Sequence, residues 1–174
     1  MMTIKKGSPW ANPKVRMAMN YAVDKDSIIK NIFQGNAEKI NVLQGPGSFG
    51  QNPNLKPYPY NPAKAKNLLA EAGFPNGFQA DMFVPHGRYL MGKQAAEAVA
   101  SYLDAVGIKV KMLSMEWGAF VRKSRARWKP GTKPYMWYSA RMDLQLHADG
   151  MYAGFIHGKA TWGGFRDAGV DKLL

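Results

Sequence analysis

Strands and helices alternate in the second half of the chain, and this alternation most constrains the fold. Apolar residues at every second position predict strands at 78–84, 108–112 and 135–138. Apolar residues at helical spacing predict intervening helices at 93–106 and 118–128. Because strands that alternate with helices pair through crossover connections, we expect an α/β layer built from such units.

The first half of the chain contains helix-start signals. Asn12 and Asn61 are each followed by proline, a pair that suits the cap and first residue of a helix. Asp24 can cap a second helix directly after the first, so the stretch 12–35 is predicted to hold two short helices. The segment 45–60 has four prolines and three glycines, which predicts a loop.

Composition limits the class of protein. The chain has 174 residues, a length that suits one domain, and no cysteine, which excludes disulfides and thiolate metal sites. No apolar run approaches the roughly 20 residues of a membrane helix, and the first residues do not form the apolar core of an export signal. The formal net charge is +12. Such an excess favours a nucleic-acid or anionic partner, or the loss of an acidic half of a larger protein.

Motifs for catalysis or metal binding are absent from the sequence. It has no phosphate-binding glycine loop and no nucleophile-elbow serine, so we do not predict an enzyme or a cofactor. His147 and His157 lie ten residues apart without paired carboxylates. Ordinary surface or hydrogen-bonded histidines are favoured over a metal site.

A basic cluster lies between Arg122 and Lys133 and includes Trp128. Cations and an aromatic ring in one segment could bind single-stranded nucleic acid through phosphate neutralisation and base stacking. A solvated helix face followed by a basic turn explains the same residues. Because no recognised nucleic-acid motif accompanies the cluster, we keep nucleic-acid binding as the alternative hypothesis.

Aromatic residues gather at or just after the ends of the predicted strands; they are Tyr89, Trp117, Tyr135, Trp137 and Tyr138. Ligands of open α/β sheets bind beside the carboxyl ends of strands, and aromatic walls with a few polar anchors suit an organic ligand. Core packing is the competing explanation, particularly for Tyr135 and Trp137.

Four segments in order resemble one protein family. They are "NPKVRMAMNYAVDKDSIIKNIFQGNA", "NPNLKPYPYNPAKAKNLLAEAGFPNGF", "KQAAEAVASYLDAVGIKVKMLSMEW" and "GGFRDAGVDKLL". Together they resemble the C-terminal lobe of the extracytoplasmic solute-binding proteins of the oligopeptide, dipeptide and nickel class, which serve ABC importers. The resemblance extends from about Lys5 to Leu174.

The resemblance implies an α/β, periplasmic-binding-protein-like lobe over residues 1–174, with a small mixed sheet and flanking helices. It would be one of two lobes that close on a peptide or other small solute. It implies an N-terminal lobe in cis and a returning C-terminal segment outside this chain, which ends where a helix is beginning. It also implies a membrane permease as partner and a periplasmic or membrane-anchored parent. An isolated lobe would expose an aromatic interface, so we expect possible self-association.

Local matching to the family implies the site residues. The "EW" dipeptide places Trp117 at the ligand, and "YSAR" places Tyr138 at an aromatic contact and Arg141 where peptide binders carry the acid that pairs with an α-amine. Arginine suits a carboxylate or phosphate instead. Asp143 could substitute for that acid, and Arg141 could simply face solvent. Ordinary peptide binding is therefore in question.

Four further residues are candidates near the cleft: Arg88, Tyr89, Tyr135 and Arg125. The first two belong to the "PHGRY" segment. That segment could also be only the connection between a strand and a helix.

Overall fold

The computed structural model describes residues 7–40, 42, 46–125 and 131–139. A short 3₁₀ helix, Pro9–Ala11, precedes the regular elements. In chain order these are α1 (Pro13–Ala22), α2 (Lys25–Asn31), α3 (Pro62–Glu71), β1 (Phe78–Pro85), α4 (Gly92–Ala105), β2 (Ile108–Met115), α5 (Trp117–Arg125) and β3 (Tyr135–Trp137). The predicted alternation of strands and helices is confirmed, and the predicted loop at 45–60 has no helix among its described residues.

The three strands form one sheet in the order β2-β1-β3. β1 pairs with β2 in parallel, from Phe78 opposite Ile108 to Pro85 opposite Met115. β3 pairs in parallel with the other side of β1, with Phe83 opposite Trp137. Both described pairings are therefore parallel, and the antiparallel part of the expected mixed sheet is not among the described strands. All three strands point their carboxyl ends to the same edge.

Capping side chains set the starts of the N-terminal helices. The side chains of Asn12 and Asn61 each accept a hydrogen bond from a backbone N–H of the first turn, at 2.9 Å in both cases. Asp24 accepts from the backbone N–H of Ser27 at 3.0 Å. Each cap satisfies a donor that has no partner within its helix. The predicted break between α1 and α2 is thus confirmed as a new cap at Asp24.

We predict that Asp24→Ala lowers the free energy of unfolding by about 1 kcal/mol, the usual contribution of such a cap. Hydrogen bonds from the Ser27 backbone and side chain hold the pKa of Asp24 below its ordinary value of 3.8. Because the folded pKa is lowered, the ionised carboxylate stabilises the fold above pH 3.8, and this contribution is lost as the pH falls through the folded pKa.

Urea denaturation of wild type, Asp24→Ala and Asp24→Asn at several pH values tests this cap. Asparagine keeps the accepting oxygen, so Asp24→Asn should lose less stability at neutral pH than Asp24→Ala. Equal losses for both variants would contradict a capping role.

The main hydrophobic core lies on one face of the sheet, beneath α1, α3 and α4. Alternate residues of β1 point to opposite faces, so Ala80, Met82 and Val84 share this side. They pack with buried residues of the three helices, among them Val15, Leu69 and Leu103. The apolar faces of these three helices thus form one continuous core.

A smaller cluster lies on the opposite face. Phe83, Phe120 and Trp137 are buried there, and Trp117 and Tyr135 pack against them. Phe120 comes from α5, so this helix covers the second face near the carboxyl ends of the strands. β1 is therefore buried on both faces over its last four residues. Among the described residues, no helix is long and apolar enough to cross a membrane.

Candidate ligand-binding site

The carboxyl edge of the sheet brings three loops together. The segment 86–91 follows β1, Glu116 follows β2, and Tyr138 follows β3. The backbone N–H of His86 donates to the carbonyl of Met115 at 2.7 Å, so the first loop is tied to the end of the neighbouring strand. The parallel register therefore gathers most of the predicted site residues at one edge.

Arg88 lies over the indole ring of Trp117. Its guanidinium carbon is 4.6 Å from the ring centroid, a close cation–π contact. Trp117 also stacks on Phe120, with ring centroids 5.5 Å apart and planes 15° apart. Because Phe120 is fully buried, it supports Trp117 at the first residue of α5. The contact places a positive charge and an aromatic ring side by side.

Tyr89 and Tyr138 form a second aromatic contact at the same edge. Their ring centroids are 6.3 Å apart in an edge-to-face arrangement. The backbone N–H of Tyr138 donates to the carbonyl of Phe83 at 2.9 Å, which continues the β1–β3 pairing past the end of β3. Burial raises the pKa of the Tyr138 phenol above its ordinary value of 10, and the neighbouring Tyr89 raises it further. The Tyr138 hydroxyl is therefore neutral at physiological pH and able to donate a hydrogen bond.

Glu116 is the acidic residue of this edge, and its carboxylate caps α5. Oε2 accepts from the backbone N–H groups of Gly118 at 2.7 Å and Ala119 at 3.2 Å. These backbone hydrogen bonds hold its pKa below the ordinary value of 4.5. The carboxylate is thus engaged by the helix. This cap was not predicted, although an acidic residue close before a predicted helix is a typical capping signal.

The other predicted site residues lie apart from this edge or beyond the description. Tyr135 is the first residue of β3, whereas Tyr138 follows the last, so the two lie at opposite ends of the strand. The centroid of the Tyr135 ring lies 5.4 Å from that of Phe83 and 5.7 Å from that of Trp137. Arg125 is the last residue of α5, whereas Trp117 is the first. The side chain of Arg125 is outside the description. Arg141 and Asp143 lie outside the described residues. Their roles at the ligand stay predictions.

The structure describes only part of the two alternative sites, the histidine metal site and the basic cluster. Within the described ranges, no group of three His, Asp or Glu residues could hold a metal ion, and His147 and His157 lie outside them. Two lysines of the basic cluster have partners. Lys133 forms a 2.7 Å ion pair with Asp81, and the amine of Lys123 lies 5.2 Å from the centre of the Phe83 ring.

Fold and site together define a class: an α/β lobe that presents aromatic and basic side chains at the carboxyl edge of a parallel sheet, where such folds bind ligands. The family follows from comparison. The model of "Bacterial extracellular solute-binding proteins, family 5 Middle" matches residues 1–161. The chain belongs to this family.

Relatives of this chain are named after different ligands. The chain is 36% identical over 121 residues to the heme-binding protein A of Haemophilus influenzae, covering 68% of this chain and 22% of that protein. It is 35% identical over 120 residues to the dipeptide-binding protein of Escherichia coli K12, covering 67% and 22%. The matched part is thus about a fifth of the length of these relatives.

A solved structure matches nearly the whole chain. It is the ABC transporter-associated periplasmic binding protein DppA of Helicobacter pylori in complex with the peptide STSA, with a TM-score of 0.83 and 29% identity. The match covers 99% of this chain and 33% of that one. The predicted fold class, a lobe of the periplasmic-binding-protein type, is confirmed.

Proposed function

We propose that this chain is one lobe of the substrate-binding component of an ABC-type importer, and that it captures a peptide-like or other small organic solute. The observation that carries the proposal is the meeting of Arg88 with Trp117, and of Tyr89 with Tyr138, at the carboxyl edge of the sheet. Membership of the family and the names of its relatives support the same function.

In the proposed mechanism the protein binds the solute and makes or breaks no covalent bond. The rings of Trp117 and Tyr138 would cover the apolar part of the solute, and a second lobe would close over it and exclude water. The lobe assignment is supported by the coverage, since the chain matches about a third of the solved binding protein. An isolated lobe would supply only part of the contacts, so we expect weak binding by this chain alone.

The charges at the edge favour a solute with an anionic group. Arg88 provides a guanidinium that can form paired hydrogen bonds to a carboxylate. The Glu116 carboxylate is engaged by backbone N–H groups of α5. Arg141 is a second proposed anchor, on the sequence match alone.

Location and partners follow from the same proposal. We place the parent protein outside the cytoplasm, where a membrane permease would receive the solute. Self-association of the lobe is a further expectation, because an isolated lobe would leave the aromatic edge that the second lobe covers open to solvent. The family comparison gives no support to the nucleic-acid alternative.

Titration of the chain by NMR tests the proposal. The panel contains short peptides, dicarboxylates and single-stranded DNA, each at low and high salt. We expect one class of small solute to shift the resonances of Arg88, Trp117 and Tyr138, with a much weaker dependence on salt than DNA binding would show. Arg88→Ala should weaken binding of an anionic solute by at least about tenfold, because a hydrogen bond to a charged group contributes about 1.5–3 kcal/mol.

Lys66→Ala is the matched control, because it removes one positive charge from an exposed position on α3. It should leave solute binding unchanged. Equal weakening by both variants, or a salt-sensitive response to DNA alone, would contradict the proposed site.

A further inference from the structure

The segment between β1 and α4 contains a tight turn that carries Tyr89. The backbone N–H of Gly92 donates to the carbonyl of Tyr89 at 3.0 Å and closes the turn. Met91 lies within it at φ 51° and ψ 19°, in the left-handed region. This is where glycine is normally found, because a side chain is disfavoured there. The sequence nevertheless places methionine at this position and glycine at the next.

Gly92 itself has no backbone need for glycine. It is the first residue of α4, and its φ lies outside the positive region. Alanine is the better helix former at such a position, because glycine loses more conformational freedom when the chain folds. The glycine therefore lies one residue after Met91, the position at which the backbone conformation favours glycine.

Space explains this placement. A Cβ added at Gly92 would lie 3.0 Å from the Cβ of Tyr89 and 3.7 Å from Cε1 of Tyr138. The first distance is shorter than ordinary van der Waals contact, so the backbone or the Tyr89 side chain would have to move. Gly92 is buried, and both nearest neighbours belong to the aromatic contact of the site.

We propose that Gly92 is a positioning residue of the binding site: its missing side chain lets Tyr89 lie against Tyr138 and so sets the place of this aromatic wall. The inference rests on the proposed function only in the assumption that Tyr89 and Tyr138 face the ligand. Any larger residue at 92 would displace Tyr89 relative to Tyr138 and change the shape of the surface beside Arg88 and Trp117.

The first experiment compares two variants by NMR with tyrosine rings labelled with ¹³C, the Tyr138 signal being assigned from Tyr138→Phe. Gly92→Ala should shift the Tyr138 ring signal, change the pH at which it titrates, and lower the urea midpoint of unfolding. Met91→Gly is the control, because it introduces glycine where φ is positive and leaves position 92 open. It should leave the Tyr138 signal in place.

A second pair of variants tests the same contact even if Gly92→Ala alone does not fold. In Tyr89→Gly the Cβ that an alanine side chain at position 92 would press against is gone. Adding Gly92→Ala to this background should therefore raise the urea midpoint, as alanine does in an unobstructed helix. If Gly92→Ala alone fails to fold, the double variant should restore folding. A failure to restore it, or a raised midpoint with an unmoved Tyr138 signal when Tyr89 is present, would overturn the proposal.

These readouts need no ligand. A solute titration that fails while the Tyr138 signal responds as expected would count against the proposed function and leave the positioning role standing. If a solute binds but the Tyr138 signal does not respond as expected, the positioning role of Gly92 is wrong and the proposed function stands.

Discussion

Replacing Gly77 with alanine is expected to lower the free energy of unfolding by at least about 3 kcal/mol, because left-handed strain and a backbone clash act together. Gly77 has φ +70°, and a Cβ there would clash with the carbonyl oxygen of Gly107. That oxygen accepts a hydrogen bond from the backbone N–H of Phe78 at 3.1 Å. Two backbones therefore approach at this point more closely than any side chain permits.

Gly73→Ala is the matched control. Gly73 also has a positive φ, +90°, but an added Cβ would meet nothing within 4 Å. It should cost only the conformational strain, about 1–2 kcal/mol. Urea denaturation of both variants separates the two effects. Equal losses would show that the close approach to Gly107 contributes nothing.

The approach of Gly77 to Gly107 also bears on the site. It lies at the start of the β1–β2 pairing, whose register ends with Pro85 opposite Met115. The loop that carries Arg88 and the helix α5 that begins at Trp117 both follow the sheet at that end. A strand shifted by one residue would turn its side chains to the other face, so the site depends on the register set here.

Local signals predicted most of the elements. The proline that follows Asn12 and Asn61, and the position of Asp24 directly after the first helix, predict these residues as caps. All three accept the expected hydrogen bonds. Capping and periodicity involve residues a few positions apart, so one sequence contains the whole signal. Helix α5, predicted to reach Trp128, is described only to Arg125.

The site was harder to predict because its contacts join distant segments. The resemblance indicated Trp117 and Tyr138, and the carboxyl edge of a sheet was a sound expectation. No local pattern, however, indicates that Arg88 lies over Trp117 or that Gly92 leaves space for Tyr89. Those contacts depend on strand order and register, which sequence periodicity does not determine.

Trp10 was missed for the same reason. It lies in a short segment before α1 without periodicity, yet it is fully buried. Its Nε1 donates to the carbonyl of Tyr135 at 3.1 Å, a partner 125 residues away along the chain. Its ring packs edge-to-face on Phe78 at 5.2 Å. The indole thus joins the N-terminal segment to the first residues of β1 and β3.

Trp10→Ala is therefore expected to lower the free energy of unfolding by about 3–5 kcal/mol, the usual cost of removing a buried tryptophan side chain. Trp10→Phe keeps much of the apolar contact and removes the hydrogen bond from Nε1 to the Tyr135 carbonyl, at a cost of about 1 kcal/mol. Urea denaturation measures both. Equal losses would assign the whole effect to the hydrogen bond, and a loss below about 1 kcal/mol for Trp10→Ala would contradict the packing role.

The effect of Trp10 should extend along β3 to the site. Two hydrogen bonds join β1 to the ends of this strand: Asp81 N–H to the carbonyl of Pro134 at 3.0 Å, and Tyr138 N–H to that of Phe83 at 2.9 Å. Because β3 has only three residues, loosening its start should also loosen its end. In Trp10→Ala, hydrogen exchange should accelerate at both N–H groups. Acceleration at Asp81 alone would show that Tyr138 is held in place independently of Trp10, by its contacts at the carboxyl edge.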